Sequence, residues 1–231
     1  MHAALERADF AAWRDAHGVP DAQRGLLVRS LRGQGLPEAG TISLDRAVMQ
    51  VGECMRSALN VPLACGARLC EVDASRRRAE MEFHLRLAPA RVEALFALLH
   101  RNGYQRGRTG FGVAHLHGML TGVMDLVFEH DGRFHLIDYK TNLLPGYDAG
   151  ALREAVAAHD YDLQYLLYVL ALHRWLRGLL PGYAYETHVG DVYYLFVRDL
   201  AEGRGVHRDR PPCALIEAMD ALFDGDLEAA A

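Results

Sequence analysis

Three residues with complementary chemistry stand close together in the chain: Asp125, Asp138 and Lys140. Between the two acids lies Asp131-Gly132, flanked by apolar runs. That is a strong hairpin signal, because glycine readily takes the positive φ of a primed turn. Counting outward from such a turn, His130 faces Arg133 and Asp125 falls directly opposite Asp138. Side chains so paired have β-carbons about 4.5–5.5 Å apart, and like charges there repel. Lys140, two residues beyond Asp138, belongs on the same face. Two carboxylates converging beside an ammonium group make a site for a hard divalent cation such as Mg²⁺. A cation so held polarises a phosphoryl oxygen and lowers the pKa of a water molecule. The lysine can orient that water or stabilise charge developing on the phosphate. The plainer reading is a solvated strand face carrying an ion pair. Val123-Met124 and Leu136-Ile137 argue against it, since they place the hairpin largely in the interior, where carboxylates need a partner.

The elements that must position these residues can be read from periodicity. Gly118 to Glu129 and Arg133 to Lys140 are the two β-rich runs of the hairpin. Glu80 to Leu87 alternates polar and apolar, the pattern of a half-buried strand. Pro89 then suits the first turn of a helix reaching about His100. Upstream, a helix is expected from His2 to about His17, and a shorter one from Asp21 to Leu31. Ser43 is a good N-cap for an amphipathic helix to about Leu59, with Val48, Val51, Met55 and Leu59 on one stripe. Downstream come a helix around Leu152–Ala158, the longest helix over about Tyr161–Arg177, and a strand over Val192–Val197. Strands surrounded by helices, with one clear hairpin, predict a mixed sheet in an α/β sandwich. Without repeats or a long linker, residues 1–231 are read as one domain.

Bulk composition sets limits. The 231 residues are 51% hydrophobic and 24% charged, enough for a sizeable core. No apolar run of membrane-spanning length occurs, and the first residues lack a secretory pattern. The expected setting is soluble and cytoplasmic. Cys54, Cys65, Cys70 and Cys213 have neither zinc-site nor disulfide-framework spacing, and read as reduced thiols. The net charge of −5 does not advertise a nucleic-acid binder. Any basic lining must be local, with Arg76-Arg77-Arg78 and Arg101 through Arg108 as the candidates.

Five blocks, in order, resemble the RecB-type nuclease domain of the PD-(D/E)XK superfamily. They are His2-Ala3-Ala4-Leu5-Glu6-Arg7; Glu80-Met81-Glu82-Phe83; the hairpin segments Gly122–Phe128 and Leu136–Asn142; Tyr161–His173; and Val192–Arg198. The resemblance implies a restriction-endonuclease-like α/β fold and an Mg²⁺-dependent DNA nuclease of the exodeoxyribonuclease type. Carried over by position, Asp125 and Asp138 bind the metal, with His2 and the backbone carbonyl of Tyr139 completing the set. Lys140 becomes the catalytic lysine and Glu80 a further active-site carboxylate, although Glu82 shares its strand face. Gln164 and Tyr168, one turn apart, match a Q-x-x-x-Y motif that shapes the site and holds DNA. The implied setting is double-strand break repair and recombination. Its implied partners are DNA fed by a helicase, RecC-like and RecD-like subunits, and the RecA recombinase.

The chain also departs from the pattern. It carries no Walker-type G-x-x-x-x-G-K-[ST] segment, and Asp191 and Asp199 stand where the family usually has glycine. Two alternatives follow: a catalytically silent domain kept as a protein-docking module, or a stand-alone nuclease of the same superfamily. The cysteine spacing does not resemble the iron–sulfur cluster common in stand-alone relatives.

Overall fold

The structure is a computed structural model that describes residues 1–33, 43–105, 115–200 and 204–225. Its centre is a five-stranded sheet with strands in sequence order: β1 (Arg77–Arg91), β2 (His115–His130), β3 (Arg133–Lys140), β4 (Val189–Phe196) and β5 (Val206–Asp209). Neighbours are antiparallel except β3 and β4, which run parallel. A parallel pair needs a crossover connection. Here α5 (Ala149–Ala158), α6 (Tyr161–Leu179) and the short α7 (Tyr185–His188) provide it. The sheet is therefore mixed and flanked by helices, as the residue pattern predicts.

Each face carries its own apolar layer. On one side, α4 (Val92–Arg101), α5, α6 and α8 (Cys213–Asp224) bury Leu99, Leu166, Val169, Leu172 and Ile216 against Met124, Val127 and Leu136 of the strands. On the other, α1 (His2–Leu5), α2 (Asp21–Gly33) and α3 (Leu44–Asn60) bury Leu5, Leu27, Val48, Met55 and Leu59 against Leu126, Ile137 and Tyr139. The Ser43 hydroxyl caps α3 by accepting the Arg46 N–H at 3.3 Å. Asp148 caps α5 through the N–H groups of Gly150 and Ala151.

Boundaries differ from expectation most clearly at three places. The first helix ends at Leu5, and only a 3₁₀ turn, Ala11–Trp13, follows. Asp9 causes the break, because its carboxylate accepts the Ala11 N–H at 3.1 Å and competes with the helical pattern. Pro89 lies inside β1, and α4 starts only at Val92. The β1–β2 register shifts between Leu87 and Ala90, the kind of irregularity where a residue without an N–H is tolerated. The strand predicted over 192–197 begins earlier, at Val189. Of the candidate basic stretch Arg101 through Arg108, residues 106–108 lie outside the described residues.

Asp191 and Asp199 are both partnered. Asp191 is buried and accepts from the Tyr193 hydroxyl at 2.8 Å and from Arg208 at 3.0 Å; its own N–H donates to His135. Asp199 pairs with Arg204 at 3.2 Å. The buried His135 ring stacks on Phe128 and lies flat over Gly190, where any β-carbon would overlap it. Gly190→Ala should therefore cost about 1–3 kcal/mol through forced repacking. Urea unfolding of the variant measures it; unchanged stability would mean that the ring can move aside freely.

Candidate active site

The hairpin follows the counted register through five pairs, from His130–Arg133 to Leu126–Ile137, and the ladder stops there. The next two positions are Asp125 and Asp138. Instead of continuing the ladder, the Asp125 carboxylate accepts the Tyr139 N–H at 2.8 Å. On the other side of β2, pairing is interrupted at the same level. Ala79–Leu126 and Met81–Met124 are paired, whereas Glu80 between them takes a positive φ of 48°. Residues two apart on a regular strand share a face. Here Ala79 and Leu126 pack into the α1–α3 layer, while Met81 and Met124 pack into the α6 layer. The side-chain alternation of both strands thus inverts at Glu80 and Asp125. A non-glycine residue held at positive φ in a strand is strained, and such strain tends to collect where function needs it.

Around this interruption the structure gathers His2, Glu80, Asp125, Asp138, Tyr139, Lys140, Gln164 and Tyr168. Ala4 and Leu5 anchor α1 in the core, leaving His2 at the surface. Its Nε2 donates to the Tyr139 carbonyl at 2.8 Å, and its Nδ1 stands 3.7 Å from Asp125 Oδ1. Tyr139 turns its side chain into the opposite layer, so only its peptide faces the acids. Asp138 is 5% exposed and pairs with Lys140 Nζ at 2.7 Å. Lys140 also donates to Gln164 Oε1 at 2.9 Å; Gln164 in turn donates to the Tyr168 hydroxyl at 2.8 Å. Glu80 is exposed beside Asp125, and its charge contributes to that acid's environment; Glu82 lies farther along β1, opposite Val123.

Two further residues, Tyr161 and Tyr194, join this cluster without having carried a functional expectation. Lys140 Nζ sits 3.9 Å from the centroid of the Tyr161 ring and 4.6 Å from that of Tyr194. A cation over aromatic faces is held by their quadrupoles, more strongly where water is excluded. The Tyr194 hydroxyl donates to Gln164 Oε1 at 2.8 Å, so the same residue cages the lysine and fixes its amide partner. The signal for Tyr194 was its β4 position, which depends on the β3–β4 register. Tyr161 stands one turn before Gln164 on α6, a spacing that offered a local clue.

Burial, and then the neighbouring charge of Asp138, push the Asp125 carboxyl up to about 6. The Asp125 charge is thus poorly solvated and faces a second acid, with only the Tyr139 N–H and His2 to offset it. The donor set of two carboxylates, a carbonyl and an imidazole suits a hard or borderline divalent cation. Among the described residues, no three His, Cys, Asp or Glu side chains alone are grouped closely enough to hold one. A cation here would need a further donor, and the Tyr139 carbonyl is the one that His2 already meets.

A mixed α/β sheet whose hairpin opens around two acids and a lysine defines a nuclease-type core. Residues 1–228 match the PD-(D/E)XK nuclease superfamily, and the chain belongs to it. Within that superfamily its similarity is to RecB. It is 38% identical over 183 residues to the RecBCD enzyme subunit RecB of Escherichia coli (strain K12), covering 75% of this chain and 16% of that protein. It is 32% identical over 265 aligned positions to the RecB subunit of Mycobacterium tuberculosis (strain ATCC 25618 / H37Rv), covering 97% of this chain and 23% of that protein. With the Haemophilus influenzae RecB subunit it shares 42% identity over 114 residues, 47% of this chain and 9% of that protein. The chain thus spans less than a quarter of the length of these relatives.

The raised Asp125 has a consequence for stability. Its carboxyl moves from an ordinary 3.8 to about 6, so the folded chain binds this proton more tightly than the unfolded one. Stability therefore falls as pH rises from about 4 to about 6, and the cost is complete above that window. Asp125→Asn keeps an acceptor for the Tyr139 N–H and removes the charge. It should stabilise the cation-free protein at about pH 7.5 by on the order of 1 kcal/mol, with the gain vanishing near pH 4. Urea titrations at both pH values check this; a variant weaker than the parent at the higher pH would contradict the charge imbalance.

Proposed function

We propose that this chain is an Mg²⁺-dependent DNA nuclease of the exodeoxyribonuclease type. In this reading it is the nuclease part of a RecBCD-like helicase–nuclease in double-strand break repair and recombination. The observation that carries the proposal is the buried convergence of Asp125 and Asp138 beside the aromatic-caged Lys140. Superfamily membership and the RecB relatives support the reaction class.

Asp125, Asp138, the Tyr139 carbonyl and His2 would hold the cation. When bound, Mg²⁺ supplies Lewis-acid polarisation of a phosphoryl oxygen and a lowered pKa for water. Lys140 orients the attacking water and meets negative charge developing on the phosphate. Its ammonium is pre-positioned by Asp138, Gln164, Tyr161 and Tyr194, so little reorganisation is needed as charge builds. Gln164 and Tyr168 hold that arrangement from α6 and wall the groove that takes the DNA strand. Glu80 adds a third carboxylate at the site. No helix among the described residues is long and apolar enough to cross a membrane, and a cytoplasmic setting accords with this reading. RecC-like and RecD-like subunits would deliver the strand, and RecA would act on the product.

Incubating the chain with single-stranded DNA and Mg²⁺ tests the reading. Asp138→Ala and Lys140→Ala should each lower kcat by on the order of 100-fold or more, with cutting abolished by chelation. If the parent cuts nothing and calorimetry shows no Mg²⁺ binding, the enzyme reading falls and a protein-docking module takes its place.

A further inference from the structure

The chain has two tryptophans, and they differ in exposure. Trp13 is fully buried, whereas Trp175 on α6 is half-buried. Trp175 follows Tyr168 by about two helical turns and Gln164 by about three, so all three share one stripe of α6. The rise places Trp175 about 10 Å from Tyr168 along the axis. Its ring meets Phe134 edge-on, with centroids 6.2 Å apart. The two rings, with Met81 and Val127, line a cavity of about 360 Å³. Met81 directly follows Glu80 on β1, and Val127 lies two residues beyond Asp125 on β2. The cavity therefore starts within about 7 Å of the candidate site along the strands.

Its rim is basic. Ser75, Arg76, Arg77, Arg78, Phe128 and Glu129 complete the lining. Arg76 is 3.3 Å from Glu129, and Arg77 is engaged over the Phe10 ring at 3.6 Å. Arg78 is exposed and makes no ion pair among the described residues. In a chain of net charge −5, this places positive charge beside an aromatic surface.

We propose that this cavity is a nucleotide subsite for single-stranded DNA, in which an unpaired base stacks on Trp175 with its edge against Phe134 while Arg78, with Arg76, meets the adjoining phosphates. The assignment rests on the nuclease reading and adds a substrate form to it. Aromatic surfaces beside a basic track hold single strands without sequence preference, because every base presents a π-face. A base within a duplex is already stacked on its neighbours, so the subsite favours unpaired strand. Its place on the Gln164–Tyr168 stripe makes it a holding point a few nucleotides from the bond to be cut.

Tryptophan emission reports on this directly, with oligo-dT as the probe and EDTA present so that no strand is cut. Oligo-dT should quench Trp175, while buried Trp13 gives a constant background. Trp175→Leu should abolish the quenching. Arg78→Glu, a surface change with no packing role, should weaken Kd by about tenfold and make its salt dependence shallower by roughly one phosphate contact. Quenching that survives in Trp175→Leu, or an unchanged Kd in Arg78→Glu, overturns the subsite. The two readings separate cleanly. A parent that cuts DNA but shows no Trp175 quenching loses only the subsite; one that is quenched but never cuts loses only the nuclease.

Discussion

Placing two carboxylates side by side within a sheet is the constraint around which this molecule is organised. Asp125 and Asp138 follow the last ladder pair of the β2–β3 hairpin, and like charges so close cannot both be stabilised by the strands alone. The structure answers asymmetrically. Asp138 receives the Lys140 ammonium, whereas Asp125 receives only a peptide N–H and a distant imidazole, and its carboxyl rises to about 6. Removing the cation partner of a buried acid leaves an uncompensated charge, one of the costlier defects a fold can carry. The aromatic cage and the Gln164 amide keep Lys140 in place against that cost.

The interruption of both strand ladders at one level has the same origin. A continuous ladder would have sent Asp125 and its neighbours to faces set by strict alternation. Inverting the alternation at Glu80 and Asp125 lets Met81 and Met124 fill one layer while Ala79 and Leu126 fill the other. The acids are left at the seam, reachable from α1 as well as from α6. His2 and Gln164 approach from these two layers, so the site draws on both sides of the sheet.

How much of this was legible in the sequence depended on whether the determinant was local. Asp131-Gly132 fixed the hairpin and its register because turn chemistry is a property of two residues. Ser43 marked the start of α3 for the same reason. Asp9 ended the first helix by a side-chain contact that apolar periodicity does not register. Pro89 read as a helix start because its other tolerated setting, an irregularity in strand pairing, exists only once β2 is alongside. The strand β5 is four residues, Val-His-Arg-Asp, too short and too polar to show alternation. Tyr194 became part of the site only through parallel pairing with Asp138, which no spacing within β4 reveals.

That parallel pairing also bears on how the protein is built in time. The hairpin brings Asp125 beside Asp138 and Lys140 through contacts close in sequence, which form early and at small entropic cost. Tyr194 reaches Lys140 only after the chain between residues 140 and 189 has closed through α5, α6 and α7. Contacts across so wide a separation carry the larger loop-closure cost and set the pace of folding. The lysine is thus caged by the slowest step, and chemical competence arrives with completion of the fold rather than with its nucleus.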